Sequence, residues 1–419
     1  MEVNIYKNMV NLKNLSKIGI GTYRMSIQDL EHRNSLNYAI EKGINLIDTA
    51  SNYQNGDSEK LIGNFIKDSE RKNVFVVTKA GYIQGDDIEK IKGLNIKKLI
   101  KITNHFFYSL DKKFIKFKFY ESLKNLNTDY IDCFLIHNPE HYFAIENNYQ
   151  KDIINDILEI FEFLESLVTE GKLRYYGISS NNIATINSKG IDIHKILELK
   201  SNYPSFKILQ FPYNIVEREA SNILINKNSL ISLSKEKNII TMSNRPLNSS
   251  LDGKVLRLVY NKSDLSLIEH EKEEDLFNSF LIKITEKLKI LGENSPLDVF
   301  LPIKFFIDNR KIIANSEAID KAINNYLIPF LSQIELNNYE TINMLRELRN
   351  YWVLFSKEFN NKRLESLQQE LVHKGILDSN DKREFPVLAC NFYLKNGIDH
   401  VLMGLRNKKY IDEITEILQ

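Results

Sequence analysis

The sequence predicts an α/β fold, a (β/α)8 TIM barrel whose alternation is interrupted by a large helical insertion between the seventh and eighth strands. Three observations carry this expectation. Eight short runs rich in β-branched or aromatic residues recur along the chain, helical patterns lie between most of them, and strand followed by helix in such repetition argues for a closed barrel. The third observation is a gap. Between the seventh run and the eighth lies an irregular stretch of roughly 130 residues, about 249–382, where a crossover helix and its loops need only a few tens.

The expected strands are Lys17–Thr22, Ile44–Ala50, Val74–Ala80, Ile131–His137, Tyr175–Ser180, Ile208–Asn214, Ile239–Asn244 and His400–Leu405. Several are nearly continuous apolar segments, as parallel strands covered on both faces should be. Helical periodicity marks Asp29–Lys42, Ser58–Lys67, Lys113–Leu126, Ile154–Gly171 and Ala220–Lys237, many of them closed by Gly or Asn. An open doubly wound sheet is the main competitor. It would place a glycine-rich phosphate turn after its first strand, and Gly19-Ile20-Gly21-Thr22 lacks both that spacing and an immediate helix.

The barrel is therefore assigned to residues 1–248 and 383–419, and a helical subdomain to 249–382. Within the insertion, Glu273–Leu291, Ser316–Leu336 and Asn343–His373 are helical in period and rich in both charge signs, with no Ser/Gly linker at either edge. Because the insertion follows the seventh strand, it is expected to form a helical cover over or beside the active-site mouth and to contribute to substrate choice rather than catalysis. A lateral decoration or an oligomerisation surface is the alternative.

Composition narrows the function classes. The 419 residues are 43% hydrophobic and 26% charged, the profile of a globular protein with ample core. Basic side chains number 56 against 55 acidic ones, so no overall field recruits nucleic acid or an anionic membrane, and a small-molecule partner fits better. Cys133 and Cys390 each lie in an apolar run and are expected as buried thiols. The N-terminal residues lack a long apolar segment, and no run approaches the roughly 20 residues that span a bilayer. A cytoplasmic location is the expectation.

The functional residues of such a barrel collect at the C-terminal ends of its strands. Asp48 closes the second expected strand, Tyr53 follows five residues later, Lys79 closes the third and His137 the fourth. Singly, each has an ordinary structural role as a cap, a loop anchor, a solvated cation or a core histidine; on consecutive strand ends they form a set. A phenol with a reference pKa near 10 is a slow acid at neutral pH unless its phenolate is stabilised. Lys79 can supply that cation, Asp48 can hold the ammonium, and His137 can donate to a carbonyl oxygen and fix its direction. No metal is needed, and the eight histidines show no ligand spacing such as H-E-x-x-H.

These residues and their surroundings resemble the aldo-keto reductase family. Ile18-Gly19-Ile20-Gly21-Thr22, Asn45-Leu46-Ile47-Asp48-Thr49-Ala50, Tyr53 and Val76-Val77-Thr78-Lys79 resemble its first three strand ends. Thr128–Asp132 with His137-Asn138-Pro139 resembles its fourth unit, Gly171–Arg174 with Gly177–Asn181 its fifth, and Gln210, Pro246-Leu247 and Val401–Asn407 the last three. The likeness covers residues 17–250 and 385–419 and leaves the insertion unmatched.

The resemblance implies hydride transfer between NADP(H) and a carbonyl or sugar substrate, with Tyr53 as acid/base. It also implies a cofactor site. Thr22 and Tyr23 would lie near the nicotinamide with Asp48, and Ser179, Ser180 or Asn181 with Gln210 would bind its carboxamide. Gly404, Leu405, Arg406 and Asn407, with Tyr410, would hold the adenosine phosphate end. The Arg406 guanidinium suits a 2′-phosphate, to which it can make paired charge-assisted bonds. One departure stands out. Where the family carries an aromatic residue that stacks on the nicotinamide, this chain reads Ser243-Asn244-Arg245-Pro246-Leu247, so Asn244 and Arg245 are expected to meet the cofactor by hydrogen bonding. The competing reading is a barrel that binds NADP(H) only as a redox-sensing or regulatory subunit. The intact tetrad favours the enzyme; the insertion and the lost aromatic favour the alternative.

Overall fold

The computed structural model describes residues 9–68, 71–144, 153–184, 191–223, 228–251, 254–261, 266–293 and 296–417. The chain divides into two compact units, Met1–Leu247 with Pro386–Gln419, and Asn248–Phe385.

The first unit is a closed eight-stranded barrel. Its strands are β1 Ile18–Gly21, β2 Leu46–Asp48, β3 Phe75–Ala80, β4 Ile131–His137, β5 Leu173–Ser179, β6 Phe206–Pro212, β7 Ile240–Asn244 and β8 His400–Met403. Each pairs in parallel with its neighbour in sequence, and β8 closes the ring on β1 through Ile18↔Val401. Every expected strand is present, displaced by at most two residues at either end, which is the ordinary uncertainty of an element boundary. The barrel floor is filled by Leu15, Leu46, Phe75, Val77, Cys133, Leu135, Ile208, Met242 and Leu402. Gly177 on β5 has no side chain for a packing reason: a Cβ there would lie 1.9 Å from the carbonyl oxygen of Ile208 on β6.

The outer helices begin where side chains satisfy their free N–H groups. Asp29 caps α1 (Leu30–Glu41) and Asp111 caps α3 (Lys112–Asn125), with α2 (Asp57–Asp68) between them. After α4 (Ile153–Thr169) comes the short α5 (Ile193–Glu198), capped by Asp192 and not foreseen from the periodicity. The helix expected over Ala220–Lys237 is shorter. A single 3-10 turn occupies Glu219–Ser221, Asn222 is extended, and α6 (Leu230–Glu236) starts only at the reciprocal Ser229–Ser232 capping box; residues 224–227 lie outside the described set. Also unforeseen is a three-stranded antiparallel sheet between β3 and α3, formed by Tyr82–Gln84, Phe106–Tyr108 and Ile100–Thr103 in that order. Cys133 and Cys390 are buried free thiols, as expected.

The second unit opens with a hairpin, Asn248–Leu251 paired to Lys254–Arg257, and is otherwise helical. Ser266 and Glu269 form a capping box for α7 (Leu267–Ile290), followed by α8 (Leu301–Asn309), α9 (Ser316–Ala322), α10 (Ile328–Gln333) and the long α11 (Tyr339–His373). The single helix expected over Ser316–Leu336 is split by a π turn at Ile323–Leu327. Pro329 lies in the first turn of α10, where its missing N–H cannot serve the preceding turn. Phe277, Phe280, Ile284, Phe306, Leu348 and Trp352 are central to the core of this unit. Among the described residues no helix is long and apolar enough to cross a membrane. From Phe385 the chain enters α12 (Phe385–Lys395), which leads to β8.

One buried charge centre ties this helical core together. Glu273 is fully buried and accepts from Arg310 Nε at 3.0 Å and from Trp352 Nε1 at 2.9 Å, while the other edge of Arg310 holds Glu274. Removing one partner of such a pair strands the other charge. Arg310→Met is therefore expected to destabilise the helical unit by about 3–5 kcal/mol. Trp352 is the chain's one tryptophan, so its fluorescence during urea unfolding reports this unit directly. An unchanged midpoint would show that Glu273 does not depend on Arg310.

Candidate active site

Side chains alternate along a strand, so every second residue points into the barrel. On β2 the inward row runs from Leu46 to Asp48, on β3 from Phe75 through Val77 to Lys79, and on β4 from Cys133 through Leu135 to His137. Across the barrel, Gly177 is followed by Ser179, Ile208 by Gln210, and Met242 by Asn244. Six adjacent strands thus each end an apolar inward row with one polar residue. Register sets His137, Ser179 and Gln210 level, through His137↔Ser179 and Ser179↔Gln210, while Asp48 lies opposite Val77, Lys79 opposite Leu135 and Gln210 opposite Met242, so the other three are each offset by one inward step.

The central contact is ionic. Lys79 Nζ lies 2.8 Å from Asp48 Oδ2 and donates to the Thr49 carbonyl at 2.6 Å, with Lys79 fully enclosed. Asp48 Oδ1 accepts from Gln210 Nε2 at 2.7 Å. Burial pushes the Asp48 carboxyl up and the Lys79 ammonium down, and the contact between them opposes both shifts. Thr22 fastens the base of the site, donating through Oγ1 to the Asp48 carbonyl at 3.0 Å.

Tyr53 starts a one-turn 3-10 helix, Tyr53–Gly56, in which Gln54 and Asn55 take left-handed backbone angles. That turn is pinned by Gln84 of the unforeseen sheet, whose amide donates to the Asn52 carbonyl and to Asn55 Oδ1. Lys79 Nζ stands 5.0 Å from the centre of the Tyr53 ring, and the phenol hydroxyl makes no hydrogen bond among the described residues. Burial, then Asp48 and Tyr23, hold its pKa well above the usual value. The lysine therefore lies over the ring here, rather than on the hydroxyl.

His137 Nδ1 is buried without a partner among the described residues, and burial followed by Lys79 and His141 keeps its pKa well below the usual imidazole value. A neutral ring with nothing to accept an Nδ1 proton carries it on Nε2. Its orientation comes from packing. The Tyr82 ring meets it edge-on at 4.8 Å and the Tyr53 ring at 6.1 Å. Tyr82 is itself held by Asn138, which donates to its hydroxyl at 2.5 Å, and by His141, 2.8 Å away. Reasoning from the sequence missed Tyr82 and His141 because they belong to a sheet and a turn that periodicity did not reveal. Glu140 was missed as a site residue too. It is buried, accepts from the Asn181 N–H at 2.8 Å and has no hydrogen-bond partner on Oε2 among the described residues.

The expected cofactor residues fall into two groups. Tyr23 is exposed and packs edge-on against Tyr53 at 5.1 Å. Ser179 and Asn244 both donate to Gln210 Oε1, at 3.0 and 3.3 Å, and Asn181 Oδ1 accepts from Arg245 at 3.3 Å. Ser180 is buried beside them. The second group follows β8. Gly404 is exposed, and a Cβ there would meet nothing within 4 Å. The Leu405 carbonyl accepts from Ser35, Arg406 is half-buried, and Asn407 caps the final helix, α13 (Lys408–Ile414), by accepting from the Tyr410 N–H. No cluster suited to a metal ion occurs among the described residues.

A family model described as "Aldo/keto reductase family" matches residues 17–293, and this chain belongs to that family. An uncharacterized oxidoreductase of Bacillus subtilis, YqkF, is 32% identical over 40% of this chain and 45% of its own length. An NADH-specific methylglyoxal reductase of Escherichia coli is 27% identical over 57% of this chain and 65% of its own. The alignments thus span less than two thirds of either relative. Among solved structures, an aldo/keto reductase from Klebsiella pneumoniae in complex with NADP and acetate is 21% identical, with a TM-score of 0.36 over 56% of this chain and 65% of that one.

The neutral His137 has a consequence for stability. Its folded pKa lies below the ordinary value near 6.5, so on acidification the unfolded chain takes up the proton first. The corresponding stability is complete above about pH 6.5 and declines as the pH falls below it. His137→Asn is expected to lessen the drop in urea midpoint between about pH 7.5 and about pH 5.5. A variant with the parent's full drop would place the acid sensitivity elsewhere, with the similarly lowered His141 and His400 as the next groups to replace.

Proposed function

We propose that this chain is an NADP(H)-dependent oxidoreductase that reduces an aldehyde or ketone, or in reverse oxidises a sugar or polyol hydroxyl, with Tyr53 as general acid/base. The observation that carries the reading is the assembly of Asp48, Lys79, Tyr53 and a neutral His137 at the rim of β2, β3 and β4. The residues present also fit the dinucleotide. Among the described residues, Asn244 Oδ1 and Ser243 Oγ are buried without partners at the end of β7, where a carboxamide would need an acceptor, and a Cβ on Gly404 would meet nothing within 4 Å, which would leave room for a phosphate group. When bound, the dinucleotide supplies or accepts hydride at the substrate carbon.

The side chains manage the oxygen. His137 directs the carbonyl by donating from Nε2, and its neutrality keeps it a hydrogen-bond donor rather than a competing acid. As negative charge develops on the oxygen, the Tyr53 hydroxyl gives up its proton to it. The Lys79 ammonium, which Asp48 keeps in place 5.0 Å from the centre of the Tyr53 ring, would offset the charge of the phenolate left behind. Burial holds the phenol proton tightly at rest, so its transfer depends on charge developing on the substrate. Thr22, Tyr23, Ser179, Ser180, Asn181, Gln210 and Asn244 would surround the nicotinamide end, Arg245 would reach the pyrophosphate, and Gly404–Asn407 with Tyr410 would hold the adenosine phosphate end. The helical unit, which follows β7 in the chain, is proposed to shape substrate choice. A weakly catalytic NADP(H)-binding subunit is the second reading, favoured by Asn244 standing where the family has a stacking aromatic.

Two substitutions test the proposal. Tyr53→Phe should lower kcat at least about a hundredfold with an accepted aldehyde and leave NADPH binding nearly unchanged, as loss of a general acid does. Retained turnover would remove Tyr53 from the mechanism, and an unaltered parent that turns over no carbonyl substrate would favour the binding subunit. Arg406 makes no hydrogen bond among the described residues, which suits it to a 2′-phosphate. Arg406→Ala should weaken NADPH by about 1.5–3 kcal/mol, the range for hydrogen bonds to charged groups, and leave NADH nearly unaffected. Equal losses in titrations of both would refute the assignment.

A further inference from the structure

In a closed ring of eight strands β6 lies opposite β2, so the 2.7 Å hydrogen bond from Gln210 Nε2 to Asp48 Oδ1 spans the barrel interior. The other end of the same amide is gathered by two donors, Ser179 Oγ from β5 and Asn244 Nδ2 from β7. An amide whose oxygen receives two donors can present only its NH2 group to the far side. We infer that Gln210 is a positioning residue for the catalytic ion pair, reaching across the barrel to keep Asp48 ionised against Lys79, with Asn244 and Ser179 fixing the sense of its amide.

The role follows from counting the acceptor sites of Asp48. Oδ2 is occupied by Lys79 and Oδ1 by Gln210, so both oxygens of a buried carboxylate are served. Without Gln210, Oδ1 loses its hydrogen-bond donor in an enclosed site and gains affinity for a proton. A protonated Asp48 no longer holds the Lys79 ammonium, and the cation that faces Tyr53 is weakened. The groups facing this pair are few: Tyr53 from the turn after β2, His137 and Cys133 from β4, and Glu59 from α2. Glu59 is itself taken up by Thr78 and Asn125, and Cys133 is held as a neutral thiol by burial. Neither replaces Gln210. Asn244 acquires a second meaning here, because a stacking aromatic at that position would lack the donor that orients Gln210.

The inference rests on the reductase reading for its catalytic consequence, but its electrostatic part can be read in the protein alone. The experiment follows the Asp48 carboxyl carbon by NMR across pH in protein labelled at aspartate, in the parent and in Gln210→Met, which keeps length and removes the donor. The Asp48 midpoint should rise by about one to two pH units, the tenfold to hundredfold carried by a hydrogen bond to a charged group. Gln210→Asn, whose amide is too short to reach β2, should show the same rise and serves if the methionine variant fails to fold. Asn244→Leu, which leaves Gln210 in place, should raise the midpoint by a smaller amount. In turnover, the acid limb of the kcat profile should move up with the Asp48 midpoint, which a purely structural role of Gln210 would not produce. Asp48 midpoints in folded Gln210→Met and Gln210→Asn that equal the parent's would overturn the inference. A shifted midpoint in a protein whose parent reduces no carbonyl would leave the positioning role standing and remove the reductase reading.

Discussion

The Lys79–Asp48 contact is the constraint around which the top of the barrel is arranged. Two charges enclosed by protein cost several kcal/mol each in lost hydration, and one ion pair rarely restores that unaided. The surrounding structure supplies the rest. The Thr49 carbonyl takes a second ammonium proton, Gln210 serves the far carboxylate oxygen, and Thr22 secures the Asp48 backbone. Each comes from a different part of the ring: the β2 end, β6 and the loop after β1. The same enclosure that makes the pair expensive makes its field strong at Tyr53 and His137, the two groups proposed to handle the substrate oxygen.

Much of this was legible in the sequence, for a definite reason. A parallel strand buried on both faces has almost no freedom of composition, so β2, β3 and β4 stand out as apolar runs, and a polar residue closing each is conspicuous. Asp48, Lys79 and His137 could therefore be placed on neighbouring strand ends before any coordinates. Other parts obey rules that local pattern does not carry. The antiparallel strands around Tyr82 and Tyr108 are three or four residues long, too short for periodicity to register, and Tyr82 could not be paired with His137 from sequence. The split at Pro329 and the late start of α6 were hidden by helical patterns that run across the break, where the deciding factors are one missing N–H and one capping box. Hydrogen bonds between opposite strands, such as Gln210 to Asp48, join residues far apart in the chain and leave no trace in either neighbourhood.

The end of β7 shows how a residue expected to depart from the family pattern is tied to its neighbours. Asn244 in place of an aromatic removes a flat apolar surface and adds a donor and an acceptor to an enclosed site. The donor is used by Gln210. The acceptor, with Ser243 Oγ beside it, is left unmatched by protein, and a buried polar atom in that state is tolerated where some other molecule can complete it. Substituting at this position thus changes a stacking surface into a hydrogen-bonding one.

The placement of β8 carries a consequence for how the molecule comes into being. Ile18 pairs with Val401, and Ser243 pairs with the same residue from the other side, so the ring stays open until β8, far along the chain from β7, is in place. Seven strands must wait as an unclosed sheet with two bare edges, the form most prone to pairing with the wrong partner. Between the seventh and the eighth the chain builds a helical body with a core of its own. Ordering Asn248–Phe385 first removes much of the chain entropy that joining β7 to β8 would otherwise cost. Synthesis order thus makes the barrel's completion a late event, governed by how promptly a neighbouring structure folds.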